Sequence, residues 1–569
     1  MNVSPPDHIA IAIAQLNPIV GDISGNLAMA RAARAKAKTL KADLIVFSEL
    51  FIAGYPPEDL VLKRAFRDGV KAAVEALAAD TADGGPAVFI GAPLDAKVDT
   101  LGKSPDKSLG KPYNAVAYCD GGTVVDLVLK HELPNYGVFD EKRVFARGPL
   151  QGPLNIRGVR IGVPICEDIW LPDVAECLAE TGAEILIVPN GSPFDLSKRD
   201  ERMNHAVARV VETKLPLAYI NQIGGQDELV FDGGSFVLNA DRQLALHLPF
   251  FEESIVLTRW RREADGWSCE SGKKSGSDDD NTLLYRAMTQ GLRDYVVKNR
   301  FAGVVIGLSG GVDSALTAAV AVDALGADKV RCVMMPSRFT SEESRRDGKE
   351  VASLLGVSYD TIPIEQPVAV FDEIMTPVFA GREADATEEN IQARIRGVIL
   401  MAISNKFGLM VVTTGNKSEM SVGYATLYGD MNGGYSVLKD LYKTQVYALS
   451  KWRNENRPHG VLGPDGPVMP ENVITRAPTA ELRENQSDQD SLPPYDILDG
   501  ILNCFIEDEM SAEQIIAKGY DRETVKRVEH MVYVAEYKRR QAPPGVKLTK
   551  RNFGRDRRYP ITNGFRDAR

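Results

Sequence analysis

Cys166 stands in the run RIGVPICEDIW, where an apolar stretch gives way to acidic residues and a tryptophan. Free cysteine is among the most buried residue types, so an inert core thiol is the first reading of any single one. Two other apolar runs change that reading. LIVFSELFIAGYPPEDL delivers Glu49 behind its hydrophobic residues, and VVDLVLKHELPNYGVFDEKRVF delivers Lys130 in the same way. Layered α/β folds place reactive groups at strand ends. A thiol, a carboxylate and an ammonium from three strands form a nucleophile set that needs no histidine. The lysine lowers the thiol pKa and holds an oxyanion, while the glutamate takes and returns the proton. His131 is the one neighbouring histidine of six in the chain, so a Cys-His pair is the poorer alternative. Glu141, in VFDEKR, is on its own as readily a solvated charge as a functional carboxylate.

A second constellation lies in VVIGLSGGVDSALTAAVAV, residues 304 to 322. An apolar run enters a glycine turn and leaves in a helix-like pattern, as phosphate-holding loops do, yet the lysine of a Walker A loop is missing. The loop spans Gly307, Leu308, Ser309, Gly310, Gly311, Val312, Asp313 and Ser314. Backbone N–H groups of Gly310 and Gly311, the hydroxyls of Ser309 and Ser314, and the following helix N-terminus suit the oxygens of a phosphate group. Asp313 suits Mg²⁺, a hard cation that prefers oxygen.

The elements needed to position these groups are legible in outline. From residue 8 to 260, β-branched runs such as IAIAIAQL, AVFIGAPL and AEILIVPN alternate with helical stretches such as NLAMARAARAKAKTLKA, which predicts an α/β layered domain. Residues 261–281, RREADGWSCESGKKSGSDDDN, are polar and carry Gly, Ser and three aspartates, so a linker is expected. From residue 282 to 569 strand and helix patterns alternate again through GVVIGLSG, KVRCVMMPS and GLMVVTTG, which predicts a doubly wound parallel sheet.

Bulk properties narrow the class. A chain of 569 residues with 44% hydrophobic and 25% charged residues folds into several cores. Its net charge of −11 argues against a nucleic-acid partner. Cys119, Cys166, Cys177, Cys269, Cys332 and Cys504 show no C-x-x-C spacing, which argues against a zinc site and fits reduced thiols in the cytoplasm. No signal peptide or membrane span is expected from the apolar runs.

The segments SELFIAGYPPEDL, KHELPNYGVFDEKRVF and GVPICEDIW, in that order, resemble the nitrilase (carbon-nitrogen hydrolase) superfamily. The resemblance implies an α-β-β-α sandwich with Glu49 as general base, Lys130 as supporting cation and Cys166 as the nucleophile that forms a thioester. By likeness to its glutamine-specific members, Tyr136, Ser192 and Lys198 hold the glutamine; taken singly, Lys198 is an ordinary surface lysine. GLSGGVDS resembles the PP-loop of the ATP pyrophosphatases, and GLMVVTTGNKSEMSVGYATLYGDMNGGYSVLKDLYKTQVYAL resembles the core of the NAD synthetases. That likeness implies a Rossmann-like domain in which Thr414 and Lys443 contact ATP. Glu419 binds Mg²⁺ or the pyridine dinucleotide, and Asn390 and Lys538 contact deamido-NAD.

Together the resemblances imply an enzyme that takes ammonia from L-glutamine and, with ATP and Mg²⁺, amidates deamido-NAD through an adenylated intermediate. A homo-oligomer built through the synthetase half is expected. The rivals are another PP-loop amidotransferase, against which the Glu-Lys-Cys set argues, and an amidase whose second half only senses nucleotide.

Overall fold

The computed structural model describes residues 6–96, 110–276 and 278–567. They form two units, one from residues up to Gln226 together with Val230–Asp278, the other from Asp227–Leu229 together with the residues from Asp279 onward.

The first unit is built on two sheets. Among the described residues the larger runs in the order Gly266–Cys269, Ser254–Glu263, His8–Gln15, Leu44–Val46, Ala87–Leu94, Tyr113–Asp120 and Thr123–Leu129. The smaller runs Leu244–His247, Phe236–Leu238, Leu217–Ile220, Ile185–Pro189, Val159–Gly162 and Leu154–Ile156. Several strands, such as AVFIGAPL and ILIVP, are apolar throughout rather than alternating, because both faces of each sheet are covered. Between the sheets Ile11, Ile13, Val46 and Phe89 share a core with Ile161, Ile187, Ala218 and Val237.

The outer faces are sealed by helices. Ile23–Thr39 and Arg64–Asp80 lay Ala30, Ala33, Val70 and Leu77 on Ala12, Ile45 and Val88. Asp173–Glu180 and Lys198–Thr213 lay Leu178, Ala206 and Val210 on Leu186, Val188 and Leu217. Each buried Val, Ile or Leu contributes about 1.5–3 kcal/mol from burial alone, so the four layers hold their strand ends firmly. This is the expected α-β-β-α sandwich.

The expected linker differs. Ser254–Glu263 runs on past residue 260 and folds back through a turn at Ala264 and Asp265 into Gly266–Cys269, pairing Trp260 with Cys269 and Arg262 with Trp267. Trp267 and Cys269 are buried, so this polar-looking stretch closes the edge of the sheet. Ser277, in the same segment, lies outside the described residues. Asp279 then caps the helix Asp280–Lys298 by accepting from the Thr282 N–H.

The second unit carries five parallel strands among its described residues, ordered Ser358–Thr361, Val330–Met334, Gly303–Gly307, Leu409–Thr413 and Tyr435–Ser436. Gly303–Gly307 is the first of them in sequence and lies in the middle. The strand order therefore reverses beside it, and that is the crevice in which doubly wound sheets bind ligands. Val305 joins Val333, Ile395 and Val411 in the core on one face, while its neighbours Val304 and Ile306 are buried on the other.

Candidate functional sites

In the first unit the three chemical groups arrive as strand geometry requires. Lys130 directly follows Thr123–Leu129, Glu49 lies just beyond Leu44–Val46, and Cys166 opens a short 3₁₀ turn, Cys166–Ile169, beyond Val159–Gly162. The glutamate segment is pressed against Gly91, where a Cβ would stand 2.3 Å from the Leu50 nitrogen. Cys166 has φ +48°, a left-handed conformation that costs an L-residue about 1–2 kcal/mol and turns its thiol out of the strand direction.

Lys130 is fully buried and donates to Glu49 Oε1 at 2.6 Å and to both Glu141 oxygens at 3.0 and 2.9 Å. Asn114 Nδ2 donates to Glu49 Oε1 at 2.7 Å, and the Gly191 N–H donates to Glu49 Oε2 at 2.8 Å. Tyr55 donates its hydroxyl proton to Glu141 Oε1 at 2.8 Å. Glu141 is thus a buried partner of the lysine and not a solvated charge. Burial works against the Lys130 charge, but Glu141 and Glu49 outweigh it and hold its pKa well above the ordinary value. Burial, aided by Glu49, pushes Glu141 up to about 7 against the pull of Lys130.

The sequence reading expected the lysine to lower the thiol pKa. Lys130 does pull that way, but burial and the Glu49 charge win, and Cys166 lies well above an ordinary thiol. Burial thus holds Cys166 as a thiol and not a thiolate.

The three expected glutamine contacts take different places. Tyr136, 47% exposed, donates to Glu167 at 3.0 and 3.1 Å, and Lys198 lies 4.4 Å over the Trp170 ring while pairing with Glu201 at 2.8 Å. Glu167 carries charge interactions with both Lys130 and Lys198, which puts Tyr136, Glu167 and Lys198 in one neighbourhood. Ser192 is buried, and its hydroxyl accepts from Arg202 Nε at 3.0 Å, with Arg202 anchored on Asp232 at 2.7 Å. Sequence reasoning missed Asn114, Tyr55, Glu167 and Arg202. Only Glu167, adjacent to the cysteine, carried a signal.

In the second unit the loop Gly307–Ser314 leads into the helix Val312–Leu325 and lines a cavity of about 280 Å³. Leu308, Ser309, Asp313, Thr414, Glu419 and Lys443 meet there. Ser314 Oγ accepts from the Ser309 N–H at 3.2 Å and donates to the Gly311 carbonyl at 2.9 Å, which holds the loop round. Lys443 pairs with Asp313, and with Glu419 at 3.5 Å; Asn416 Nδ2 donates to Asp313 Oδ1 at 2.9 Å. Burial, then the nearby Asp313, pushes Glu419 up to about 8 despite Lys443. Asn416 also caps Lys417–Val422, and that N-x-x-E capping pattern was readable in NKSE.

Three expected contacts lie elsewhere. Gly310 does not line the cavity: with φ +87°, its Cβ position falls 2.3 Å from the Ser344 carbonyl, so it admits the helix Glu342–Leu355. Asn390 accepts from the Thr426 hydroxyl at 2.8 Å. Lys538 Nζ donates to the Gly423 and Ala425 carbonyls at 2.7 Å each, so its charge is engaged on the loop beyond Lys417–Val422. Neither Asn390 nor Lys538 lines the cavity, although both brace residues 423–426. Arg476, missed in the sequence, donates to the Gly310 carbonyl at 3.1 Å.

Comparison with known proteins agrees with this division. Residues 10–264 match the carbon-nitrogen hydrolase family and residues 284–542 match the NAD synthase family. The glutamine-dependent NAD(+) synthetase of Rhodobacter capsulatus is 50% identical over 561 residues, covering 99% of each chain. The protein of that name from Thermotoga maritima is 42% identical, covering 98% of this chain and 99% of its own. The glutamine-dependent NAD+ synthetase of Acinetobacter baumannii, solved in complex with ADP, superposes with a TM-score of 0.76 at 40% identity, over 98% of this chain and 99% of that one.

Proposed function

The chain belongs to the glutamine-dependent NAD(+) synthetases, and from that membership we propose how its own residues divide the reaction. The enzyme converts deamido-NAD to NAD with glutamine and ATP. The observation that carries the division is the pairing, in one chain, of a buried Glu49–Lys130–Cys166 cluster with a lysine-free glycine loop that lines a cavity.

In the first unit Cys166 Sγ attacks the carboxamide carbon of glutamine, and its proton passes to Glu49. Lys130 faces the oxygen that gains charge, which favours the tetrahedral state over the flat amide. Glu49 returns the proton to the departing nitrogen, ammonia leaves, and a thioester remains. Water attacks that thioester, with Glu49 again as base, and glutamate is released. Tyr136, Glu167 and Lys198 offer a hydroxyl, a carboxylate and an ammonium to the amino-acid head group, with Ser192 beside them.

In the second unit a carboxylate oxygen of deamido-NAD attacks the α-phosphorus of ATP, and pyrophosphate leaves toward the N–H groups of the Gly307–Ser314 loop. Lys443 and Thr414 line the phosphate side, while Asn390 and Lys538 act on deamido-NAD through the loop they brace. Ammonia then attacks the adenylated carbonyl and AMP leaves. Adenylation is needed because a carboxylate is a poor electrophile.

Asp313 and Glu419 fit a Mg²⁺: two carboxylates line one cavity, and Glu419 is pushed up to about 8 partly by Asp313, a repulsion that a divalent cation relieves. When bound, that ion supplies charge neutralisation for the polyphosphate. Exposed Ile374, Val378 and Val398, on helices Glu365–Phe379 and Ala386–Phe407, support a homo-oligomer formed through this unit. No helix among the described residues is long and apolar enough to cross a membrane. A cytoplasmic location is proposed on the cysteine spacing.

The test is NAD and AMP formation from ATP, Mg²⁺ and deamido-NAD with either glutamine or ammonium. Cys166→Ala abolishes the glutamine reaction and spares the ammonium reaction, whereas Asp313→Asn depresses both at least about 100-fold. Equal loss of both reactions in Cys166→Ala would overturn the division.

A further inference from the structure

Asp168 has no role in the chemistry above, yet it is 2% exposed and fully engaged. Its Oδ1 accepts from the His131 N–H at 3.1 Å and the Glu132 N–H at 2.7 Å, and its Oδ2 accepts from the Ile165 N–H at 2.9 Å. The first two donors directly follow Lys130; the third directly precedes Cys166. One carboxylate therefore ties together the two backbone segments that carry the cation and the nucleophile.

Such a tie is needed at this point of the fold. Lys130 ends a strand of the larger sheet and Cys166 follows a strand of the smaller one. Packed sheets touch through side chains and share no ladder hydrogen bonds, so sheet pairing leaves the offset between these strand ends unfixed. Cys166 also sits in a left-handed conformation that its surroundings must hold, and the Asp168 bond to Ile165 closes that turn. On the Lys130 side the ammonium is gripped by Glu49 and Glu141; Glu49 also accepts from the Gly191 N–H beyond Ile185–Pro189 of the smaller sheet, but neither carboxylate bonds to the backbone segment that carries Cys166. A carboxylate has two acceptor oxygens and no donor, so it alone among small side chains meets three converging N–H groups without conflict.

We infer that Asp168 is a positioning residue for glutamine hydrolysis, its carboxylate setting the offset between the Lys130 ammonium and the Cys166 thiol across the two sheets. The inference rests on the reading of Lys130 and Cys166 as the reacting pair. Loss of the tie lets the thiol and the cation move apart, and misplacement on the scale of an ångström lowers the chemical step about 100-fold. Glu167, one of the head-group contacts, lies inside the turn that Asp168 closes, so KM for glutamine shifts as well, but by less than kcat.

The test uses the full chain with Asp168→Asn, which keeps the two bonds at one oxygen but turns an NH₂ toward the Ile165 N–H. Asp168→Ala, which removes all three acceptors without adding a donor, is the second variant. For each, kcat and KM for glutamine hydrolysis, the rate of Cys166 alkylation by iodoacetamide and the thermal transitions are measured, with ammonium-dependent NAD synthesis as an internal control. The expected result is a fall in kcat of about 100-fold, a changed alkylation rate, and a smaller change in KM, with the ammonium reaction and the transitions retained. A kcat unchanged in both variants would overturn the inference, as would a rise in KM alone. Loss of the first unit's transition in both would do the same, by making Asp168 a scaffold residue only. Cys166→Ala in the same assay checks the premise separately: if it still hydrolyses glutamine, the reading of the site fails and not just that of Asp168.

Discussion

Each half of the chain sets one buried lysine between two carboxylates: Lys130 with Glu49 and Glu141, and Lys443 with Asp313 and Glu419. In each cluster one carboxylate has a strongly raised pKa, Glu141 at about 7 and Glu419 at about 8. For Glu419 burial is the first cause and Asp313 the second. The sign follows from linkage: the folded protein holds this proton more tightly than the unfolded chain does. The stability it contributes is therefore fully present below the ordinary value of 4.5 and is lost as pH rises through about 8. Glu419→Gln removes that loss. Without nucleotide or Mg²⁺, its melting temperature should exceed that of the unaltered protein by about 2–4 °C at alkaline pH, and the gap should close toward pH 4.5. A gap independent of pH would show that Glu419 is not the group responsible. On the proposed reading of Glu419 as a Mg²⁺ ligand, the same substitution should depress NAD synthesis.

At the scale of elements, the site of the second unit depends on a buried ion cluster beneath it. Lys417 is fully buried and donates to Asp440 Oδ1 at 2.7 Å, to Thr549 Oγ1 at 2.7 Å, to the Arg551 carbonyl at 2.8 Å and to Glu507. Asp440 Oδ2 in turn accepts the Leu548 and Thr549 N–H groups at 2.7 Å each. The C-terminal segment is thus held against both Lys417–Val422, which carries Glu419, and the turn leading to Lys443. Lys417→Met leaves two carboxylates unpaired and should destabilise this unit by about 3–5 kcal/mol, read from the urea midpoint of its transition, with the first unit's transition unmoved. The sequence showed Lys417 only as one letter of NKSEM. Strand-end positions of Glu49, Lys130 and Cys166 were legible because apolar runs stop where chemistry begins. The loop was legible because its glycines and aspartate are local. Asn114, Arg202, Asp168 and Lys417 were not, since each acts through partners distant in sequence and no local spacing announces them. The Gly266–Cys269 strand was hidden for a related reason: it is four residues long at a sheet edge, and the polar residues on either side of it make composition alone read it as linker.

For the whole molecule, the two reactions share one intermediate that water can steal. Ammonia is protonated to ammonium at neutral pH, and only the neutral form can attack the adenylated carbonyl. An enzyme that hands ammonia from Cys166 to the adenylate within one assembly acts at a high effective concentration, whereas ammonia released to solvent is diluted and protonated. The rival in which the second half only senses nucleotide has no such handover. Two damaged chains separate these cases. Cys166→Ala keeps the synthetase site and Asp313→Asn keeps the glutaminase site, so separately prepared proteins mixed with glutamine, ATP, Mg²⁺ and deamido-NAD can join the two reactions only through ammonia in solution. At neutral pH the mixture should make NAD at least about tenfold more slowly than the intact enzyme. Glutamate should accumulate ahead of NAD, and the deficit should shrink as pH rises and more ammonia is neutral. A mixture as fast as the intact enzyme at neutral pH would show that ammonia is passed through solvent, and that joining the two halves in one chain serves something other than its transfer.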